Sequence, residues 1–352
     1  VRWDGQKTQQ VDAGALPGLE LRTLPGLVRS VRTPDFAGVT FHEVLCRSAL
    51  NRVPDASAVP FRWTVNPMRG CLHACAYCFA RPTHEYLDLD AGRDFETQIV
   101  VKTNVVEVLR AEVARSSWRR EHVALGTNTD PYQRAEGRYR LMPGIIDALA
   151  GSGTPLSVLT KGTLLRRDLP QLGDVVAAGG AVAVSVSLAT VDEQLQAALE
   201  PGTPTPRARL DLVRAAREAG LECGVLVAPV LPWLTDDEEH LDALLRALRD
   251  AGATSVTVLA LDLRGAVKAV TGDWLRTHRP ALLPRYQRLY GDGAYVPRDY
   301  QRWLDARVAP LLARHGFGSG DDRRAWRARA GGAPASVASA SAQDRVPVPT
   351  LF

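Results

Sequence analysis

The sequence predicts an α/β fold organised around a parallel sheet. Three observations carry that expectation. Between residues 60 and 263, six short apolar runs alternate with amphipathic stretches of helical spacing, which sets successive strands side by side with crossover helices between them. The runs are apolar at consecutive positions, the pattern of strands covered on both faces. The chain has 352 residues, 45% of them hydrophobic, enough for one barrel-sized core with extensions or for two smaller domains.

Taken in order, residues 1–59 carry several Pro and Gly without sustained periodicity and are expected to form a partly extended N-terminal arm, in which Phe41–Leu50 suits a short helix or an edge strand. Strands are expected at Phe61–Val65, Val123–Gly126, Leu156–Thr160, Val182–Leu188, Cys223–Pro229 and Ser255–Leu261. Helices are expected between them at Asn104–Arg115, Pro143–Ala150, Leu164–Ala178, Val191–Glu200, Pro206–Ala219 and Asp236–Ala251. Pro143 suits a helix start and Gly220 a helix end. Thr235, with Glu238 three residues on, resembles a capping box. Residues 264–318 hold Trp274, Tyr286, Tyr290, Tyr295, Tyr300 and Trp303 and read as a C-terminal helical extension. Residues 319–352, rich in Ala, Ser, Gly and Pro, read as a disordered tail. An open doubly wound sheet and a full or partial β/α barrel both fit. In either, ligands sit at the C-terminal ends of the strands, which points to the loops Asn66–Pro82, Thr127–Gln133, Lys161–Thr163, Ala189–Thr190, Val230–Leu234 and Asp262–Gly265.

The net charge of +4 does not by itself imply nucleic acid. Of 43 basic residues only Lys7, Lys102, Lys161 and Lys268 are lysine, which makes Lys161, at a strand mouth, conspicuous. No stretch has the apolar length of a membrane span, and the polar Val1–Val11 lacks the apolar centre of a secretory signal. The expected location is cytoplasmic, and the expected state a monomer.

Five cysteines are present: Cys46, Cys71, Cys75, Cys78 and Cys223. Three of them fall within eight residues in a C-x3-C-x2-C spacing, just after the first expected strand. Three thiolates on one loop can hold three irons of a cubane cluster and leave the fourth open to a ligand. Zinc, with His73 or His84 as a fourth ligand, is a second possibility. Three buried, unligated thiols are a third. Cys223, at the start of the fifth expected strand, reads as core.

The C-x3-C-x2-C spacing with Tyr77 before the last cysteine, in the first loop of β/α units, resembles the radical S-adenosylmethionine (SAM) superfamily. Thr127-Asn128-Thr129-Asp130, Leu159-Thr160-Lys161, Val184–Leu188, Leu199-Glu200-Pro201-Gly202-Thr203 and Val227-Ala228-Pro229 extend the likeness, across residues 60–262, to the spore photoproduct lyase-like family. Residues 30–60 and Glu85–Lys102 look closer to an uncharacterised actinobacterial-type subgroup. The resemblance implies a partial (β/α)6 barrel over residues 60–263 and a 4Fe–4S cluster on Cys71, Cys75 and Cys78. It also implies SAM bound at the open iron, and a reductant such as flavodoxin or ferredoxin. Position by position, Lys161 matches a lysine on the methionine carboxylate, Thr129 and Asp130 a pair near the ammonium, and Ser187 a contact to carboxylate or ribose. Tyr77 and Phe79 would face adenine, and Ala228 would let the adenosyl group approach the sheet. Arg69 and Arg81 bracket the cluster loop, and would raise the cluster potential or pair with acids such as Glu85 or Asp94.

The lyase repairs a thymine dimer in DNA and returns a hydrogen atom from a cysteine. Thr127 stands at that position here, and an alcohol O–H is too strong a bond to replace a thiol. The substrate is therefore left open, with DNA or another nucleic acid leading. Tyr290, Tyr295 and Tyr300 suit helix packing, radical relay or base stacking. The terminal Val348-Pro349-Thr350-Leu351-Phe352 resembles a peptide for the replication sliding clamp. The competing function is a non-catalytic, metal-stabilised protein that docks on nucleic acid or repair machinery.

Overall fold

The structure, a computed structural model, describes residues 24–318 apart from 56, 58 and 60. The expected tail with its clamp peptide, and the first part of the arm, lie outside the described residues. In chain order the strands are β1 (Leu27–Val31), β2 (Thr40–Val44), β3 (Leu50–Arg52), β4 (Trp63–Val65), β5 (Met68–Arg69), β6 (Gln98–Lys102), β7 (Val123–Leu125), β8 (Leu156–Thr160), β9 (Val182–Ser187), β10 (Cys223–Val230) and β11 (Ser255–Ala260). The helices are α1 (Asp94–Thr97), α2 (Val105–Val113), α3 (Arg134–Tyr139), α4 (Met142–Gly151), α5 (Leu169–Ala177), α6 (Glu193–Leu199), α7 (Pro206–Glu218), α8 (Glu238–Asp250), α9 (Val267–His278), α10 (Leu283–Tyr290) and α11 (Arg298–Arg314).

The six expected strands form the core. β4, β7, β8, β9, β10 and β11 lie side by side in chain order with every neighbouring pair parallel, and β3 adds antiparallel to β4. A doubly wound sheet reverses its strand order at a switch point. This order never reverses, and β3 and β11 stand at opposite ends of it. The sheet is thus a partial β/α barrel. Cys223 is fully buried in its core.

Several local expectations hold. Pro143 falls in the first turn of α4, and Gly220 follows α7 at φ +78. Two do not. The stretch Leu164–Ala178 is a 3-10 turn over Thr163–Asp168 and then α5, which restarts with Pro170 in its first turn, where a missing N–H costs nothing. The cap of α8 is Asp237, which accepts from His240 N at 2.8 Å; Thr235 Oγ1 instead accepts from Leu231 N at 2.8 Å.

The arm departs most from expectation. A second sheet, β1-β2-β6-β5, combines it with the segment between β4 and β7. β2 runs parallel to β6, pairing Thr40 with Gln98 and Val44 with Lys102, while β1 and β5 are antiparallel to their neighbours. Phe41, Met68, Ile99 and Val101 carry this sheet into the same buried cluster as Val65 and Leu125. At the other end of the chain, α9 and α10 bury Trp274, Leu275, Tyr286 and Tyr290 against Cys75, Ala76 and Tyr77. Both additions therefore pack on the first loop of the barrel, the second sheet against Leu72 and the helices against Cys75, Ala76 and Tyr77.

Candidate active site

A cavity of about 660 Å³ opens at the C-terminal ends of the parallel strands. All ten residues singled out in the sequence line it: Cys71, Cys75, Cys78, Tyr77, Phe79, Thr129, Asp130, Lys161, Ser187 and Ala228. They come from five places, the loop after β5, the loop after β7, the residue after β8, the end of β9 and β10 itself, so the sheet is what brings these together.

The cysteine loop is held by backbone contacts. Cys71 N donates to Phe95 O at 2.9 Å, Leu72 N to Gln133 Oε1 at 2.8 Å, and Ala76 N to Leu199 O at 2.9 Å. Gly202 N donates to His73 O at 3.1 Å, and a Cβ on Gly202 would lie 1.9 Å from Leu72 O, so no side chain fits there. Burial pushes the Cys75 and Cys78 thiols up. Arg81, almost fully buried, donates to Cys75 O and to Glu96, at 3.0 and 2.9 Å. Its acidic partner is thus Glu96, on α1, rather than the expected Glu85 or Asp94. His84 points at Gln98 O, 2.9 Å away and outside the cavity, whereas His73 lines it.

The second and third loops are cross-tied. Thr129 Oγ1 donates to Gly70 O at 2.6 Å and accepts from Gln133 Nε2 at 2.8 Å. Asp130 accepts from Tyr132 N and Lys161 N, at 2.9 and 2.6 Å, and from the Thr160 hydroxyl, and its second oxygen lies 3.3 Å from His73 Nδ1. Burial would raise its carboxyl, but His73 and these donors hold it down at about 2. Both side chains therefore hold loops together. Ser187, on β9, presents its side chain to the cavity while its carbonyl accepts from Arg209 at 3.1 Å.

Sequence reasoning misses Gln133, Arg209 and the carboxylate of Glu200. Glu200 is buried below Lys161: it accepts from the Tyr77 phenol, from Arg209 and from Thr203 Oγ1, and lies 3.9 Å from Lys161 Nζ. Lys161 Nζ also sits 5.4 Å from the Tyr77 ring centroid. The only signal available was that Glu200 opens a Glu-Pro-Gly-Thr segment, and turn chemistry accounts for that equally well.

The cavity is also lined by Leu259, Asp262, Arg264, Tyr295, Gln301 and Asp305, from β11, the loop after it and the C-terminal extension. Phe79, Leu259 and Tyr295 are each more than two-fifths exposed. The three flagged tyrosines part company here. Tyr290 donates to Leu261 O and Tyr300 to Asp236, both at 2.8 Å, as packed side chains; Tyr295 alone of the three reaches the cavity.

The donor number and type are those of a cluster with one open iron, while among the described residues no group of three or more His, Cys, Asp or Glu side chains is arranged to hold a single metal ion. Three thiols share the cavity, while Cys46 and Cys223 do not line it. A mostly buried lysine, Lys161, lines the same space. A sequentially ordered partial barrel with such a first loop is the architecture of radical SAM enzymes. The chain belongs to the radical SAM superfamily, whose family model matches residues 65–248. Over 329 residues it is 61% identical to an uncharacterized protein of Mycobacterium tuberculosis, covering 92% of this chain and 95% of that one. A protein of Acidianus two-tailed virus is 28% identical over 211 residues, covering 58% of this chain and 68% of the other. Among solved structures, spore photoproduct lyase complexed with dinucleoside spore photoproduct matches with TM-score 0.58 at 17% identity, over 78% of this chain and 79% of that one. That likeness is one of fold. The protein is a radical SAM enzyme of the lyase-like fold. Among the described residues no helix is long and apolar enough to cross a membrane.

Proposed function

We propose that this protein cleaves SAM reductively at a 4Fe–4S cluster held by Cys71, Cys75 and Cys78, and turns the resulting radical on a nucleic-acid substrate for repair or modification. One observation carries the first half: three thiols and Lys161 line one cavity, with no fourth cysteine among its lining residues. When bound there, the cluster and SAM would supply a 5′-deoxyadenosyl radical by breaking the sulfonium–C5′ bond. The protein's share is placement and exclusion of water. Lys161 meets the methionine carboxylate as a point charge, Ser187 adds a hydroxyl beside it, and Ala228 leaves room for the adenosyl group. Thr129 and Asp130 act less as ligands than as the ties that set the second and third loops, and through them Lys161.

The nucleic-acid half is supported by the exposed rings of Phe79 and Tyr295 at the cavity, which suit stacking on a planar base. Thr127 also lines the cavity, donating to Asn66 at 3.2 Å. No thiol outside the cysteine triad lines it, so hydrogen return follows a route other than a cavity thiol. Residues 60–263 are then the catalytic barrel and 264–318 the wall of its substrate side, in a cytoplasmic enzyme supplied by flavodoxin or ferredoxin.

Anaerobic reconstitution tests the reading. The protein should turn brown and, with dithionite, release 5′-deoxyadenosine and methionine from SAM; Cys75→Ala should lose both properties. A colourless protein carrying one zinc and indifferent to SAM would overturn it. Binding to single-stranded oligonucleotides should fall steeply with added salt; salt-insensitive or absent binding would remove the nucleic-acid half alone.

A further inference from the structure

The Glu200 carboxylate divides its two oxygens between two tasks. Oε2 faces inward, to Arg209 and Thr203 Oγ1. Arg209, fully buried, continues to Ser187 O and to Pro204 O, at 3.1 and 2.9 Å, so this side fastens the Glu-Pro-Gly-Thr loop to the end of β9. Oε1 faces the cavity side. It accepts from the Tyr77 phenol and lies 3.9 Å from Lys161 Nζ.

That separation is too long for a hydrogen bond, which for an ammonium and a carboxylate runs at about 2.7–2.9 Å. Among the described residues the Lys161 ammonium makes no hydrogen bond at all, although it has three donors and is mostly buried. A desolvated ammonium with a carboxylate within reach should close on it. Here the Tyr77 phenol fills one of the two acceptor sites of the oxygen nearest Lys161 and stands in the approach between the two groups, and the lysine rests over the Tyr77 ring instead.

We infer that Tyr77 is a positioning residue: by capping Glu200 Oε1 it keeps Lys161 from closing on Glu200, so that the ammonium stays available to a carboxylate bound in the cavity. The inference rests on reading Lys161 as the partner of the SAM carboxylate. It gives Tyr77 a task in its phenol, distinct from any contact its ring or backbone makes with adenine. Glu200 attracts Lys161 and Tyr77 limits that attraction, so the two residues act on the ligand with opposite sign.

The experiment measures SAM affinity on the reconstituted full chain, from the change SAM causes in the electron paramagnetic resonance spectrum of the reduced protein. Iron content and thermal melts are followed alongside. Tyr77→Phe should weaken SAM about tenfold with iron content unchanged. Glu200→Gln should tighten SAM, and in that background Tyr77→Phe should have no further effect. A merely structural role for Tyr77 would lower iron content or melting temperature equally in both backgrounds. An equal Tyr77→Phe effect in both, or none in either, overturns the inference. Should the Arg209 left by Glu200→Gln cost the fold, Lys161→Met replaces it as the background, again with no further loss on adding Tyr77→Phe. Lys161→Met also separates the two readings. If it leaves SAM affinity unchanged, the assignment of Lys161 fails. If it weakens SAM while Tyr77→Phe alone does nothing, only the present inference fails.

Discussion

At the scale of single residues, the site is built from side chains with two kinds of occupation. Asp130, Thr129, Gln133 and Arg209 have their polar atoms engaged within the protein, whereas among the described residues the Lys161 ammonium makes no hydrogen bond and the three cysteines line the cavity with one long contact among them, Cys75 Sγ to His73 O at 3.9 Å. The distinction gives different outcomes for substitution. Asp130→Asn would set an amide NH2 against one of the two backbone donors, Lys161 N or Tyr132 N, and remove the charge that pairs with His73. It should destabilise the metal-free fold by about 3 kcal/mol in denaturant titrations. Lys161→Met, a volume-conserving change on a mostly buried stem, should leave that stability within about 1 kcal/mol while weakening SAM binding. None of this partitioning can be read from residue type. Asp130 and Lys161 are both polar residues at strand mouths, and only their neighbours tell a tie from a ligand.

At the scale of elements, the loop carrying the cysteines is gripped by three others. At Gly202 the approach leaves no room for a side chain, since a Cβ there would lie 1.9 Å from Leu72 O. Gly202→Ala should displace the cysteine loop, and reconstituted protein should hold well under the wild-type iron content while circular dichroism still reports a folded barrel. The start of α8 offers a cleaner energetic test. Asp237→Ala should cost about 1 kcal/mol as the loss of a helix cap, whereas a capping box from Thr235 would have put that cost at Thr235. The six core strands were legible because each is a short apolar run set between amphipathic helices, a local pattern that needs no knowledge of partners, although β11 is only partly buried, with Leu259 exposed. The second sheet was not: β5 is two residues long, and β2 pairs with β6 across more than fifty residues of sequence, so no local pattern announces either.

At the scale of the whole molecule, burial sets the response to acid. His122, just before β7, is buried, and burial lowers its imidazole from 6.5 to about 4. Between those values the unfolded chain binds a proton that the folded chain refuses. Stability should therefore fall as pH drops from 6.5 towards 4, by at most about 3 kcal/mol from this residue. His122→Phe should flatten the chemical-denaturation profile across that window, and an unchanged slope would assign the acid sensitivity elsewhere.

The sequence by itself determined where the six core strands lie along the chain, the cysteine loop, and which residues stand at the strand mouths, because alternation of apolar strand and amphipathic helix is a local property and a parallel sheet delivers all its loops to one end. The tertiary structure decided the rest. It chose a partial barrel over a doubly wound sheet, since strand neighbours depend on pairing across the chain. It built the second sheet from the arm, and it brought Glu200 beneath Lys161 and Tyr77. Those contacts join residues far apart in sequence, and burial, which the sequence does not state, is what gives a carboxylate, a phenol and an ammonium their hold on one another.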